Sequence, residues 1–175
     1  MGAYMLLEIN GLPDGSMDFH WDLGKEFFES FGNADIMEAK VGVDVRLVKS
    51  GDFVGVDVSA GGSVTVPCDR CLAPLEIPVD EAVALSVKFG PGEPGDAAEA
   101  KEGGREVVYL ADRETALDLD QTVYDYVCLA VPMKRVHPEG GCDASVTRFI
   151  GKDSGSGDAS SDNPFAALKD MLEGK

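Results

Sequence analysis

The chain has 175 residues, of which 44% are hydrophobic, enough for one domain with a substantial core and short for two. No run approaches the roughly 18 apolar residues of a membrane span, and the N-terminus lacks the basic residues and cleavage site of a signal peptide, so we expect a cytoplasmic protein with no membrane partner. The formal net charge of −17 disfavours a broad electrostatic attachment to nucleic acid, and it suits solubility or a basic protein partner.

The first half of the chain has the pattern of antiparallel strands. From residue 38 to residue 50, apolar and polar residues alternate, which is typical of a strand with one buried face. The pairs Ser50-Gly51 and Gly61-Gly62 favour turns between such strands. Strands are therefore predicted at residues 4–9, 17–23, 38–50, 52–60, 63–67 and 76–89, and a short helix at residues 25–32.

A segment rich in Gly, Pro and acidic residues follows at residues 89–106 and predicts a mobile loop. After a further strand at residues 106–110, Asp118 is placed to cap a helix, with Gln121 three residues on in a box-like pattern. Pro132 ends this helix. Its apolar face consists of Leu119, Val123, Tyr126, Val127 and Ala130.

The C-terminal part has the composition of a tail. Residues 151–163 form a Gly- and Ser-rich linker, and residues 164–173 predict a short amphipathic helix that begins with Pro164. Such a helix can dock into a groove of a partner or fold back onto its own domain, and the sequence leaves both open. Its apolar anchors are Phe165, Leu168, Met171 and Leu172.

These elements predict one α+β domain at residues 1–150. We expect a bent, mostly antiparallel sheet, with a barrel-like closure as one form of it, packed by the helix at residues 119–131.

Two cysteines, Cys68 and Cys71, lie in a C-x-x-C motif between two strand-like segments. A redox dithiol of the thioredoxin type precedes a helix, whose N-terminus stabilises the thiolate. Here Pro74 and Pro78 follow, and the next residues favour a strand. The motif therefore indicates a knuckle, a tight turn that presents two sulfurs to one point, rather than a redox site.

A tetrahedral zinc site needs two more ligands, and His137 and Cys142, with four residues between them, are the candidates. Together with Cys68 and Cys71 they would form a Cys3His set for one structural zinc ion. The alternative is that the thiols are reduced and simply packed. Cys128, within the apolar helix pattern, and His20 are expected to be structural.

Signatures of catalysis are missing from the sequence. It contains no nucleophile elbow, phosphate-binding loop, dinucleotide fingerprint or HExxH motif. The pairs Asp118/Asp120 and Asp80/Glu81 are explained by helix capping and by ordinary strand surface. We therefore expect a protein that is not an enzyme, with a C-x-x-C thiol-disulfide protein as a remaining alternative.

The motifs CDRCL at residues 68–72, LAVPMKRVHP at residues 129–138 with Cys142 behind it, and NPFA at residues 163–166 together resemble the YceD family, described as large ribosomal RNA subunit accumulation proteins. The resemblance extends over most of the chain. It implies a bacterial or plastid cytoplasmic factor needed for normal accumulation of large-subunit (23S) ribosomal RNA, with a binding or assembly role. It also implies that Cys68, Cys71, His137 and Cys142 form a structural or metal-binding set, with Arg70 as a charged side chain on the knuckle.

The charge makes direct RNA binding by this chain the weaker hypothesis. Only Lys134 and Arg135, with Arg70 if the knuckle lies nearby and Arg148 further on, offer a small basic patch, and such contacts would be weak and salt-sensitive. We expect instead that the acidic body binds a basic ribosomal or rRNA-processing protein. A zinc-stabilised interaction module without a ribosomal role is the alternative.

Overall fold

The computed structural model describes residues 4–9, 11–90, 101–110 and 116–148. The elements in chain order are β1 (Leu6–Glu8), β2 (Gly15–Leu23), α1 (Lys25–Ser30), β3 (Glu38–Ser50), β4 (Phe53–Pro67), β5 (Pro74–Phe89), β6 (Lys101–Glu102), β7 (Arg105–Leu110), β8 (Ala116–Asp118), α2 (Asp120–Ala130) and α3 (Ala144–Thr147).

Six strands form one sheet in the order β2-β3-β4-β5-β7-β6, and β1 pairs with β8 in a separate two-stranded sheet. All neighbouring pairs are antiparallel except β5 and β7, which run parallel. Three of the inward residues of β3, Val43, Val45 and Leu47, lie opposite the buried apolar residues Ala60, Val58 and Val56 of β4. The expected α+β architecture with a mostly antiparallel sheet is confirmed.

The prediction of a barrel-like closure is wrong. Within the described residues the large sheet is open, with β2 at one edge and β6 at the other. The turn expected at Gly61-Gly62 is also wrong, because β4 continues through both glycines, which pair with Gly42 and Val41 of β3. Gly62 has a φ of 148°, and a Cβ there would lie 2.0 Å from the carbonyl oxygen of Lys40. Gly62 thus permits the close approach of β3 and β4, and β4 passes through both glycines as one long strand.

The helix α2 packs its inner face onto the sheet. Val123 and Val127 are buried in the main core together with the inward residues of β3, β4 and β5. The predicted capping box does not form. Leu119 occupies the N-cap position, and the Asp118 carboxylate accepts the N–H of Asp120 at 2.9 Å. The side chain of Gln121 instead donates to Asp125.

Several predictions concern residues that the structure does not describe. The linker at residues 151–163, the helix at residues 164–173 and residues 91–100 of the predicted loop lie outside the described residues. Within the range predicted as loop, β6 and the start of β7 are strands. In the described ranges, no helix has both the length and the apolar character needed to cross a membrane.

Candidate metal centre

The C-x-x-C motif is the connection between β4 and β5, which pair up to Pro67 and Pro74. The N–H of Cys68 donates to the carbonyl oxygen of Ala73 at 2.9 Å, and the N–H of Leu72 donates to that of Cys68 at 2.9 Å. These bonds fold the connection into a tight turn between two strands. The knuckle predicted from the flanking strand pattern is therefore present.

The segment after α2 is held against this turn by Asp69 and Arg135. The N–H of Asp69 donates to the carbonyl oxygen of Arg135, and the N–H of Arg135 donates to Asp69 Oδ2, each at 2.7 Å. The Arg135 guanidinium also contacts Asp69 Oδ1 at 3.3 Å. Two residues further along, His137 reaches the sulfurs of the knuckle.

Cys142 reaches the same point from a second turn. The N–H of Gly141 donates to the carbonyl oxygen of Pro138 at 2.9 Å, and Gly140 has a φ of 82°, a backbone conformation that favours glycine. Asp143 then caps α3 by accepting the N–H of Ser145 at 2.8 Å. The turn and the cap fix the backbone on both sides of Cys142.

The structure brings together all four residues predicted as zinc ligands. One ligand atom from each of Cys68, Cys71, His137 and Cys142 lies within 4.8 Å of the other three. The Sγ atoms of Cys68 and Cys142 are 3.9 Å apart, and Nδ1 of His137 is 3.5 Å from Cys71 Sγ and 3.9 Å from Cys142 Sγ.

This spacing fits a tetrahedral ion. Zinc bonds of about 2.3 Å to sulfur and about 2.0 Å to nitrogen place sulfurs about 3.8 Å apart and sulfur about 3.5 Å from nitrogen. Three thiolates and one imidazole are soft and borderline donors that suit zinc far better than magnesium or calcium. The cluster could therefore hold a metal ion with little movement of its ligands.

The imidazole of His137 is oriented by a second contact. Its Nε2 lies 3.1 Å from the carbonyl oxygen of Pro74, and a carbonyl can only accept, so Nε2 carries the proton. In the neutral imidazole, Nδ1 then has its lone pair directed toward the sulfurs. A histidine that ligates a metal is typically held in this way by a carbonyl or carboxylate on its other nitrogen.

Backbone N–H groups favour the thiolate form of the knuckle cysteines. Burial raises the pKa of Cys68, but hydrogen bonds from N–H groups, chiefly those of Cys71 and Arg70, outweigh burial and lower the pKa to about 6. The N–H groups of Asp143 and Ala73 likewise lower the pKa of Cys71. Because the thiolate is the form that binds metal, these hydrogen bonds favour metal binding by Cys68 and Cys71.

The pKa values of the other two members of the cluster, Cys142 and His137, are raised. Burial raises the pKa of Cys142, and the sulfurs of Cys68 and Cys71 raise it further. The pKa of His137 is raised by hydrogen bonding to the Cys68 sulfur and then by the Pro74 carbonyl. Several negative sulfurs crowded together repel each other, and a bound cation would relieve that repulsion.

The basic residues predicted to bind a partner differ in their surroundings. Arg70 and Lys134 are exposed. Arg135 is half-buried and engaged by Asp69 and by Asp35, whose Oδ2 lies 3.3 Å from the guanidinium, so two carboxylates compensate its charge. Its contacts link the candidate metal centre to the connection between α1 and β3.

The remaining predicted site residues lie elsewhere. Phe165, Leu168, Met171 and Leu172 belong to the part of the chain that the structure does not describe. Cys128 lies in α2, outside the cluster, where Asn33 contacts its sulfur at 3.7 Å. His20 lies on the exposed face of β2, with Nδ1 2.7 Å from Asp44 Oδ1.

Sequence reasoning missed three residues that hold the centre or the fold in place. Asp69 pairs with Arg135, and Pro74 supplies a carbonyl oxygen, which no side-chain pattern could reveal. Asp120 is 8% exposed, and its carboxylate accepts the N–H groups of Tyr4 and Met5 at 2.8 and 2.7 Å. Asp120 shares the buried face of α2 with Val123 and Val127. A carboxylate on that otherwise apolar face was the pattern that could have identified it.

A family model matches most of the chain. The family model described as large ribosomal RNA subunit accumulation protein YceD matches residues 56–172, a range that includes all four residues of the cluster. No curated protein and no solved structure gives a significant match.

Proposed function

Because the chain belongs to the YceD family, we propose that it is a non-enzymatic cytoplasmic factor that supports accumulation of large-subunit ribosomal RNA during ribosome assembly. The observation that carries this proposal is the family match, which spans the knuckle, α2 and the segment with His137 and Cys142. The role is one of binding and assembly.

We further propose that Cys68, Cys71, His137 and Cys142 hold one structural zinc ion. The distances, the orientation of His137 and the lowered pKa values of the knuckle thiols support this assignment. When bound, the ion would cross-link the β4–β5 connection to the segment after α2, which is otherwise tied to it by the Asp69–Arg135 bonds. A zinc ion enclosed by four protein ligands has no open position for substrate, in keeping with a structural role.

A thiol-disulfide activity is the less favoured alternative. A lowered pKa also suits a nucleophilic thiol, but such a thiol must be reached by its substrate. Cys68 has 0% of its surface exposed and Cys71 has 6%. The two sulfurs face His137 and Cys142 inside the cluster, where a mixed disulfide with another protein would have no room.

The partner we propose is a basic ribosomal or rRNA-processing protein. The net charge of −17 gives long-range attraction to such a protein and repulsion of RNA phosphates. Direct contact of RNA with Arg70 and Lys134 would neutralise only about two phosphates, which supplies little affinity at physiological salt. The RNA is thus protected through the protein that this chain binds.

Cellular rescue tests the function. In bacterial cells that lack their own family member, expression of this chain should restore the ratio of large-subunit to small-subunit ribosomal RNA. Cys68→Ser should fail to restore it, whereas the matched variant Cys128→Ser, outside the cluster, should succeed. A wild-type chain that is expressed and folded but leaves the ratio unchanged would favour an interaction module without a ribosomal role.

The nature of the partner needs a separate experiment. The tagged chain is purified from lysates with and without nuclease treatment, and basic proteins that co-purify are identified. We expect a basic ribosomal or processing protein to remain after nuclease treatment and to dissociate as salt is raised. Loss of every such protein with the RNA would instead indicate direct RNA binding.

A further inference from the structure

The surface next to the metal centre carries large apolar side chains that the fold leaves uncovered. Among the described residues, the three most exposed large hydrophobic side chains are Leu72, Leu129 and Met133, at 74%, 78% and 103% exposure. We call these three residues the knuckle patch. Leu72 lies on the β4–β5 turn, Leu129 lies in the last turn of α2, and Met133 lies three residues after the end of that helix.

The two chain segments of the knuckle patch are held together. The paired backbone bonds between Asp69 and Arg135 join the turn to the segment after α2, and His137 lies 3.5 Å from Cys71. The patch is therefore presented on a fixed part of the molecule. Large exposed apolar side chains on chain segments that are fixed to each other are typical of a docking site.

Leu72 also has an unfavourable backbone conformation. Its φ of 60° is the only positive value for a non-glycine residue in the described part of the chain. A leucine in the left-handed region is strained, and glycine or asparagine would relieve that strain. An exposed leucine gains nothing from burial in the described structure that would offset this cost. Strain held at an exposed apolar residue points to a function for its side chain.

The chain itself supplies an occupant for the patch. The described residues end at Arg148, directly after α3, whose cap Asp143 adjoins the cluster residue Cys142. The amphipathic pattern begins at Asn163. From its Gly- and Ser-rich composition, the intervening segment of about fifteen residues is expected to act as a flexible tether with a reach of roughly 20 Å, which would hold the amphipathic segment at millimolar effective concentration around Arg148.

We propose that residues 164–172 dock as an amphipathic helix on the knuckle patch of the same chain. Phe165, Leu168, Met171 and Leu172 recur at helical spacing and would cover the apolar side chains of the patch. Arg70 and Lys134 are exposed cations close in sequence to patch residues, and Asp170 of the segment offers a carboxylate to one of them. The contact is independent of the ribosomal role and goes beyond it.

Hydrogen exchange of the full-length protein, read by mass spectrometry, tests the proposal. In the wild type, amides of residues 165–172 should exchange at least about tenfold more slowly than in a free peptide of that sequence. Leu72→Asn, which tolerates the left-handed backbone, and Met133→Ser should each remove this protection. Leu6→Ser, an exposed apolar residue of β1 outside the patch, should leave it unchanged.

Other outcomes would overturn the proposal. Exchange at the free-peptide rate in the wild type would leave the patch open to a different protein. Protection that persists in both patch variants would place the segment elsewhere on the domain. Protection that disappears on dilution would mean that the segment docks on a second copy. Metal content measured in each variant shows whether the knuckle itself is intact.

Discussion

His137 and Pro74 are joined by a hydrogen bond of 3.1 Å between the imidazole Nε2–H and the proline carbonyl oxygen. Pro74 is the first residue of β5, so the sheet itself sets the orientation of the ring. With Nε2 occupied, Nδ1 faces the sulfurs of Cys71 and Cys142. The fold alone therefore holds His137 in the tautomer and orientation that a metal ligand at Nδ1 requires.

We expect elemental analysis of the tag-free protein to find one zinc ion per chain. Cys68→Ser should lose the ion and lower the free energy of unfolding by about 3 kcal/mol or more, because a structural metal contributes its binding energy to folding. Chelation of the wild type should produce the same loss. Urea unfolding with and without chelator measures it.

Cys128→Ser is the matched control for this prediction. It removes a thiol of α2 that is not part of the cluster, so zinc content should stay at one per chain. A wild-type protein without metal, whose four thiols all titrate freely on unfolding, would show that the cluster is a set of packed cysteines.

Asp120 should be one of the most sensitive polar residues for stability. Its carboxylate accepts two backbone N–H groups from the start of the chain, and Met5 is fully buried. Asp120→Ala leaves these donors unsatisfied and should cost about 3 kcal/mol in the free energy of unfolding, since hydrogen bonds to charged groups contribute about 1.5–3 kcal/mol each.

Asp125→Ala gives the comparison on the same helix. Asp125 is exposed, and among the described residues its carboxylate accepts from Gln121, one turn earlier, at 2.8 Å. Its removal should change the free energy of unfolding by no more than about 0.5 kcal/mol. Equal effects of the two substitutions, measured by urea denaturation, would show that the attachment of the N-terminal strand contributes little.

Local patterns in the sequence predicted much of the fold. Strict alternation identified β3, and the pattern of residues 119–131 identified α2 to within a residue at each end. The Gly61-Gly62 pair misled the prediction because glycine permits both a turn and close strand contact. Only the pairing with β3 and β5 over its whole length shows that β4 continues. Whether the sheet stays open or closes into a barrel also depends on pairing between strands that are distant in sequence.

The candidate site was predicted in its ligands but not in its support. Cysteine and histidine side chains are recognisable donors, so Cys68, Cys71, His137 and Cys142 could be selected by residue type and spacing. The carbonyl of Pro74 belongs to the backbone, and Asp69 meets Arg135 across 66 positions of sequence. Such contacts depend on the folded topology and leave no local pattern.

The pKa of His20 should lie above the ordinary value for histidine. The hydrogen bond to Asp44 is the largest cause that raises its pKa, and Asp22 on the other side of the ring adds to it. A raised pKa in the folded state means that the resulting stabilisation is fully present below about pH 6.5 and is lost as the pH rises through the folded-state pKa.

NMR titration of the His20 ring protons measures this shift. Asp44→Asn should move the midpoint down toward the ordinary value, whereas Asp14→Asn, a carboxylate that does not contact the ring, should leave it in place. A midpoint in the wild type at or below 6.5 would contradict the prediction.

Adjacent glycines in β4 should differ sharply in their tolerance of a side chain. A Cβ at Gly62 would lie 2.0 Å from the Lys40 carbonyl oxygen, and the φ of 148° is unfavourable for alanine, whereas a Cβ at Gly61 would meet nothing within 4 Å. Gly62→Ala should therefore destabilise the protein by about 3 kcal/mol or more, because only a backbone shift can relieve the overlap. Gly61→Ala should change the free energy of unfolding by no more than about 0.5 kcal/mol.

Thermal and urea unfolding of the two variants measure the difference, and similar stabilities would show that β3 and β4 are further apart at this point than the structure places them.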